Sequence, residues 1–171
     1  KMQQQGMERI LSVGVKIGLW LLLFTPLVVT SSLFFPYITG KNFFFRIIVD
    51  LVAGLWLGLA VMSPKYRPRW SMLTLAFGLF MLALIVATIF GADPYMSFWS
   101  NFERMEGLVT YLHLFVLFLV ASTVLTTERD WSTLFNISLG VSALISFYGL
   151  LEHSGIITPG GSVGDSAGAA R

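Results

Sequence analysis

Arg46 and Asp50 stand four residues apart inside an otherwise apolar stretch. On a helix that spacing puts both on one face, close enough to pair. Charges are costly within an apolar span and usually face a bundle interior or a water-filled cavity. The pair is therefore either a structural ion pair that fixes helix packing or one wall of a substrate site. A second set, Glu103, Glu106, Thr110 and His113, follows spacings of three, four and three, which makes one stripe along a helix. Past His113 the same face turns apolar at Leu117, Val120 and Val124. The two sets lie at similar depth toward the same surface, and together they imply a polar cavity that opens to that side. His113 alone reads as a histidine hydrogen-bonded to a neighbouring helix. His153 falls beyond the last apolar stretch, so no histidine partner is at hand and no metal site is expected.

The elements that must position these groups are helices in a bilayer. Apolar residues make up 56% of the chain, charged residues only 12%, and the mean hydropathy is +0.78. A globular domain carries about 25% charged residues. Five apolar stretches occur, over residues 13–33, 43–62, 70–90, 108–125 and 131–151. Each is about 20 residues, which at about 1.5 Å per residue matches the hydrocarbon thickness of a bilayer. The expected fold is all-α: a polytopic transmembrane bundle of about five spans over residues 1–151. Residues 152–171 are expected to form a Gly-rich extracytoplasmic loop. Pro26 should kink the first span, and Lys16 near its start can snorkel to the surface.

Asp93 followed by Pro94 reads as a helix N-cap with proline at the first helical position. It should open a short interfacial helix before the fourth span, placing Tyr95, Phe98, Trp99 and Phe102 in an aromatic belt. Gly14 with Gly18 and Gly54 with Gly58 are spaced for close helix approach, and packing within one bundle is the favoured reading over a dimer face. If the stretches alternate across the membrane, Lys1, Arg9, Lys16, Lys65, Arg67, Arg69 and Arg129 fall on one side. Lys41, Arg46, Arg104 and Arg171 fall on the other. The richer side is expected to be cytoplasmic. That puts the N-terminus inside and the loop from Asp93 to Gly107 outside. The chain has no cysteine, which rules out disulfides and thiolate metal sites. It has no basic run of the kind that binds nucleic acid.

Two segments carry a family resemblance. Phe34-Phe35-Pro36-Tyr37-Ile38-Thr39-Gly40-Lys41-Asn42-Phe43 leads into the second stretch. Ser97-Phe98-Trp99-Ser100-Asn101-Phe102-Glu103-Arg104-Met105-Glu106-Gly107, with Thr110 through His113, leads into the fourth. In sequence and order they resemble the N-terminal part of bacterial O-antigen ligase and O-antigen polymerase family proteins. Tyr148-Gly149-Leu150-Leu151 followed by a glycine loop ending in Arg171 also fits.

The resemblance implies a multi-pass glycosyltransferase of the bacterial cytoplasmic membrane. It would take a glycan from an undecaprenyl diphosphate carrier at the outer face and pass it to a saccharide or lipid acceptor, without cofactor, nucleotide sugar or metal. A diphosphate leaving group calls for arginine, for which Arg46 and Arg104 are candidates. Arg171 is a third, at a position where the family often has arginine. An acceptor hydroxyl calls for a base, and Glu106 or His113 could serve. With Asp50 these are the candidate substrate-binding residues. The family's large loop with arginine and histidine has no counterpart here, so no catalytic residue is assigned. The chain is expected to be an N-terminal portion, inactive by itself. The rival expectation is a non-enzymatic polytopic protein, a transporter subunit or scaffold.

Overall fold

The computed structural model describes residues 2–29, 38–101 and 106–156. Among the described residues six α-helices follow one another: α1 (Met2–Leu22), α2 (Thr39–Met62), α3 (Met72–Ile89), α4 (Pro94–Trp99), α5 (Leu108–Val124) and α6 (Glu128–His153). No strand occurs among the described residues. Three of the helices, α2, α3 and α6, are long and apolar enough to cross a membrane, and α5 is a shorter apolar helix of 17 residues. Apolar side chains stand exposed along most of these helices: Leu51 and Val61 on α2, Leu73 and Leu82 on α3, and Leu139 and Phe147 on α6. Helices apolar on every side are compatible with a membrane protein.

The first helix departs from expectation. In place of a kinked helix over residues 13–33, α1 begins at Met2 and stops at Leu22. Proline accounts for the stop. A helix continued through Pro26 would drive its ring into the Leu22 carbonyl four residues back. Instead Pro26 lies in a single 3-10 turn, Thr25–Leu27, and the Thr25 hydroxyl donates to the Leu22 carbonyl at 2.6 Å. The first half of α1 carries Gln3, Gln4, Gln5, Glu8 and Arg9, so the helix is amphipathic and not uniformly apolar.

Caps set the other boundaries. Ser71 accepts from the Thr74 amide at 3.1 Å and opens α3. Asp93 accepts from the Met96 amide at 3.0 Å, with Pro94 at the first position, and opens α4 as expected. Thr127 and Asp130 form a reciprocal capping box, so α6 starts at Glu128, ahead of the expected Trp131. At its far end α6 runs through His153 and ends at Gly155, whose φ of 73° suits a residue without Cβ. Residues 157–171, most of the expected Gly-rich loop, lie outside the described residues.

α1 and α2 pack antiparallel. Gly14 faces Leu55, Gly18 faces Val52 and Gly58 faces Leu11, so positions rise along one helix as they fall along the other. A Cβ on Gly18 would collide with the Val52 side chain, whereas one on Gly54 would meet open space. Three of the four spaced glycines thus serve packing inside the bundle. α5 lies against α2, and the core gathers where α1, α2 and α5 meet, around Val15, Leu19, Val52, Leu59, Val120 and Val124. α3 joins through Phe77, whose ring meets Phe115 and Phe118 of α5 edge-on at 5.3 and 5.1 Å.

Candidate functional site at the α2–α5 interface

Arg46 and Asp50 share a face of α2, but each turns across to α5. The Arg46 guanidinium donates to the Thr110 hydroxyl at 2.9 Å. The Asp50 carboxylate meets His113 Nε2 at 3.3 Å. The face the two residues share on α2 is therefore tied to α5 by two links between helices. The cause is register: Thr110 and His113, three apart on α5, present their polar atoms opposite the four-residue step from Arg46 to Asp50.

His113 is engaged at both ring nitrogens. Nδ1 lies 2.6 Å from the Val109 carbonyl oxygen. A carbonyl only accepts, so Nδ1 carries a hydrogen. His113 is thus bonded both along its own helix and to a neighbour. The Asp50 side chain is 72% exposed, although it sits at the midpoint of α2. The carboxylate therefore has an open flank halfway along an apolar helix.

Above the pair lies a cavity of ≈ 470 Å³ whose walls include Phe43, Arg46, Tyr95, Trp99, Ser100 and Asn101. Phe43 is three residues before Arg46 and shares its face of α2. Tyr95 and Trp99 come from α4, whose Phe98 and Trp99 rings meet edge-on at 4.9 Å. The chain after α4 turns sharply: Ser100 has φ 64° and ψ −171°, a conformation that L residues rarely adopt and that costs of order 1–3 kcal/mol. The turn is braced from below. A Cβ on Gly107 would collide with the Phe98 carbonyl and crowd the Ser100 amide, so only glycine allows the N-cap of α5 to close on the end of α4.

Not all the expected residues assemble. Glu106 is exposed and precedes α5, which starts at Leu108, so it does not continue the stripe of Thr110 and His113. Arg104, Arg171 and Glu103 lie outside the described residues, as does Phe102 of the expected aromatic belt. Among the described residues, no three His, Asp or Glu side chains gather as a metal site. What sequence reasoning missed is the aromatic wall beside Arg46. Tyr95 and Trp99 read as membrane-interface anchors, and nothing in their spacing places them over α2.

A second polar cluster, at the other end of the interface, was also not anticipated. Trp56 Nε1 donates to the Thr123 hydroxyl at 2.9 Å and to the Tyr66 carbonyl at 3.1 Å. Nearby Lys16 Nζ bonds Asp130 at 2.6 Å, so Lys16 is paired with the first turn of α6. No protein-family model, curated protein or solved structure matches the chain.

Proposed function

We propose that this chain supplies a donor-side pocket of an O-antigen ligase- or polymerase-like glycosyltransferase. In this reading it crosses the cytoplasmic membrane of a bacterium five times with its N-terminus inside, and binds an undecaprenyl diphosphate-linked glycan at the outer face. One observation carries the reading: Arg46 opens into a cavity walled by Phe43, Tyr95 and Trp99. A guanidinium binds diphosphate oxygens bidentately. Flat aromatic faces suit the C–H face of a sugar ring, and such rings commonly line ligand sites. Thr110 holds the arginine in place. Arg104 and Arg171 would add the positive charge that one arginine cannot provide against a diphosphate, and Glu106 would stand at the mouth.

The test is binding. The purified chain in nanodiscs is titrated with an undecaprenyl diphosphate-linked oligosaccharide while the fluorescence of Trp99 is followed, with Trp99→Phe as the blank. Arg46→Gln should weaken binding about tenfold, the loss of one charge-assisted contact. Equal affinity in wild type and Arg46→Gln would reject the pocket. The topology is tested separately: single cysteines placed at Ser97 and Ser71 should react with a membrane-impermeant reagent from opposite sides.

A second reading, a subunit of a transporter, is favoured by the Asp50–His113 pair. The pair sits halfway along α2 with one flank open, the setting in which ionisable groups act as proton relays. Proton-coupled solute uptake into proteoliposomes that is lost in Asp50→Asn would establish this reading over the first.

A further inference from the structure

The end of the bundle away from Arg46 holds two further cavities. The first, of ≈ 380 Å³, is polar and lined by Lys65, Arg67, Arg69, Ser71, Thr74 and Thr126, with Ser122 and Thr123 behind. Three cations and five hydroxyls line it, and no described carboxylate does. The second, of ≈ 680 Å³, is apolar and runs along α3 past Gly78, Leu79 and Leu82, with Phe115 and Leu119 of α5 on its other side. Arg69 and Thr74 belong to both, so the two adjoin: a basic, hydroxylated head beside a greasy trough.

Local structure builds this shape. Pro64 and Pro68 break the chain between α2 and α3 and hold the cations at the bundle end. Arg67 Nε donates to the Ala60 carbonyl at 3.0 Å, and Lys65 lies 5.3 Å from the Tyr66 ring centroid. The head also opens on the N-terminus of α3, capped by Ser71, where the helix dipole favours an anion. In the trough, Thr74, Gly78 and Leu82 recur every four residues on one face. A Cβ on Gly78 would meet nothing within 4 Å, so the missing side chain is what leaves the trough open. From Thr74 to Leu82 it extends about 12 Å, most of one leaflet's half of a roughly 30 Å hydrocarbon core.

We infer that this composite cavity binds one anionic phospholipid of the cytoplasmic leaflet, its phosphodiester among Lys65, Arg67 and Arg69 and an acyl chain along Gly78 between α3 and α5. The inference rests on the membrane placement given above and not on glycan transfer. Charge complementarity selects the lipid class: three cations without an acid favour phosphatidylglycerol over zwitterionic phosphatidylcholine. The bound lipid would fasten α3 to α5 where α3 otherwise presents its open face.

The test uses the purified chain in nanodiscs of equal phosphatidylglycerol and phosphatidylcholine, followed by native mass spectrometry of the lipid retained. Wild type should retain phosphatidylglycerol in preference. Arg67→Gln and Arg69→Gln should each reduce that retention about fivefold. Gly78→Leu sets its Cβ in open space and fills the trough, and should abolish retention while the helical circular dichroism persists. Inorganic phosphate should not displace the lipid. Equal retention of the two lipids, unchanged retention in Gly78→Leu, or displacement by inorganic phosphate would each overturn the inference. Arg46→Gln should leave retention untouched, so loss of glycan binding and loss of lipid binding are separable failures.

Discussion

Arg46 and Trp56 lie ten residues apart on α2, and each donates at 2.9 Å to a threonine hydroxyl of α5. The two bonds are alike in length, in partner type and in the helices they join. Their surroundings differ. Trp56 and Thr123 are 7% and 6% exposed and sit within or beside the apolar core. Trp56 spends its one N–H on two acceptors, and Thr123 also donates to carbonyls of its own helix. Arg46 borders an open cavity, and next to it the Asp50 side chain is largely exposed. The same donor–acceptor geometry therefore acts as a fastener at one end of the interface and as the wall of a chamber at the other. Enclosure, and not the hydrogen bond, is what differs between the two contacts.

The comparison predicts an order of effects. Trp56→Ala should cost the most, about 3–5 kcal/mol for a large core side chain, seen as a lowered midpoint of thermal unfolding in detergent. Loss of stability as small as that from an outer-end substitution would erase the distinction between the clusters. Gly18→Leu should cost about 2 kcal/mol through overpacking against Val52, while Gly54→Leu should change the midpoint little, since space is open there. Ser100→Gly should raise stability by about 1 kcal/mol by relieving the left-handed backbone. If it also weakens ligand binding, the strained turn positions the cavity wall. Thr110→Val should be the mildest, about 0.5 kcal/mol in stability, with its effect expressed instead in the affinity for a phosphate-bearing ligand.

Composition and apolar run length made the helical, bilayer-suited character legible, because both reflect the solvent and not the packing. Asp93–Pro94 also declared its helix correctly, since a cap is a local device. Thr127-Glu128-Arg129-Asp130 carried the same kind of signal, but its charges made it read as a linker. The capping box uses Asp130 twice, toward Thr127 and toward Lys16, and only the second partner is remote in sequence. The spacing of Arg46 with Asp50 placed them on one face correctly, yet their partners depended on the register of α5 against α2. That register is set by the fit of side chains such as Val52, Trp56, Val120 and Val124, which no single-helix pattern encodes. Glu106 failed to join for a local reason: Gly107 is the N-cap, and the stripe begins only after it.

Lys16 and its partner Asp130 are separated by 114 positions, which gives the ion pair a history as well as a place. At a synthesis rate of about 5–20 residues per second, between about 6 and 23 s pass before Asp130 leaves the ribosome. Until then Lys16 has to reach the membrane surface for water. Its bond to Asp130 can close only after that interval, and it then ties the start of α6 back to α1.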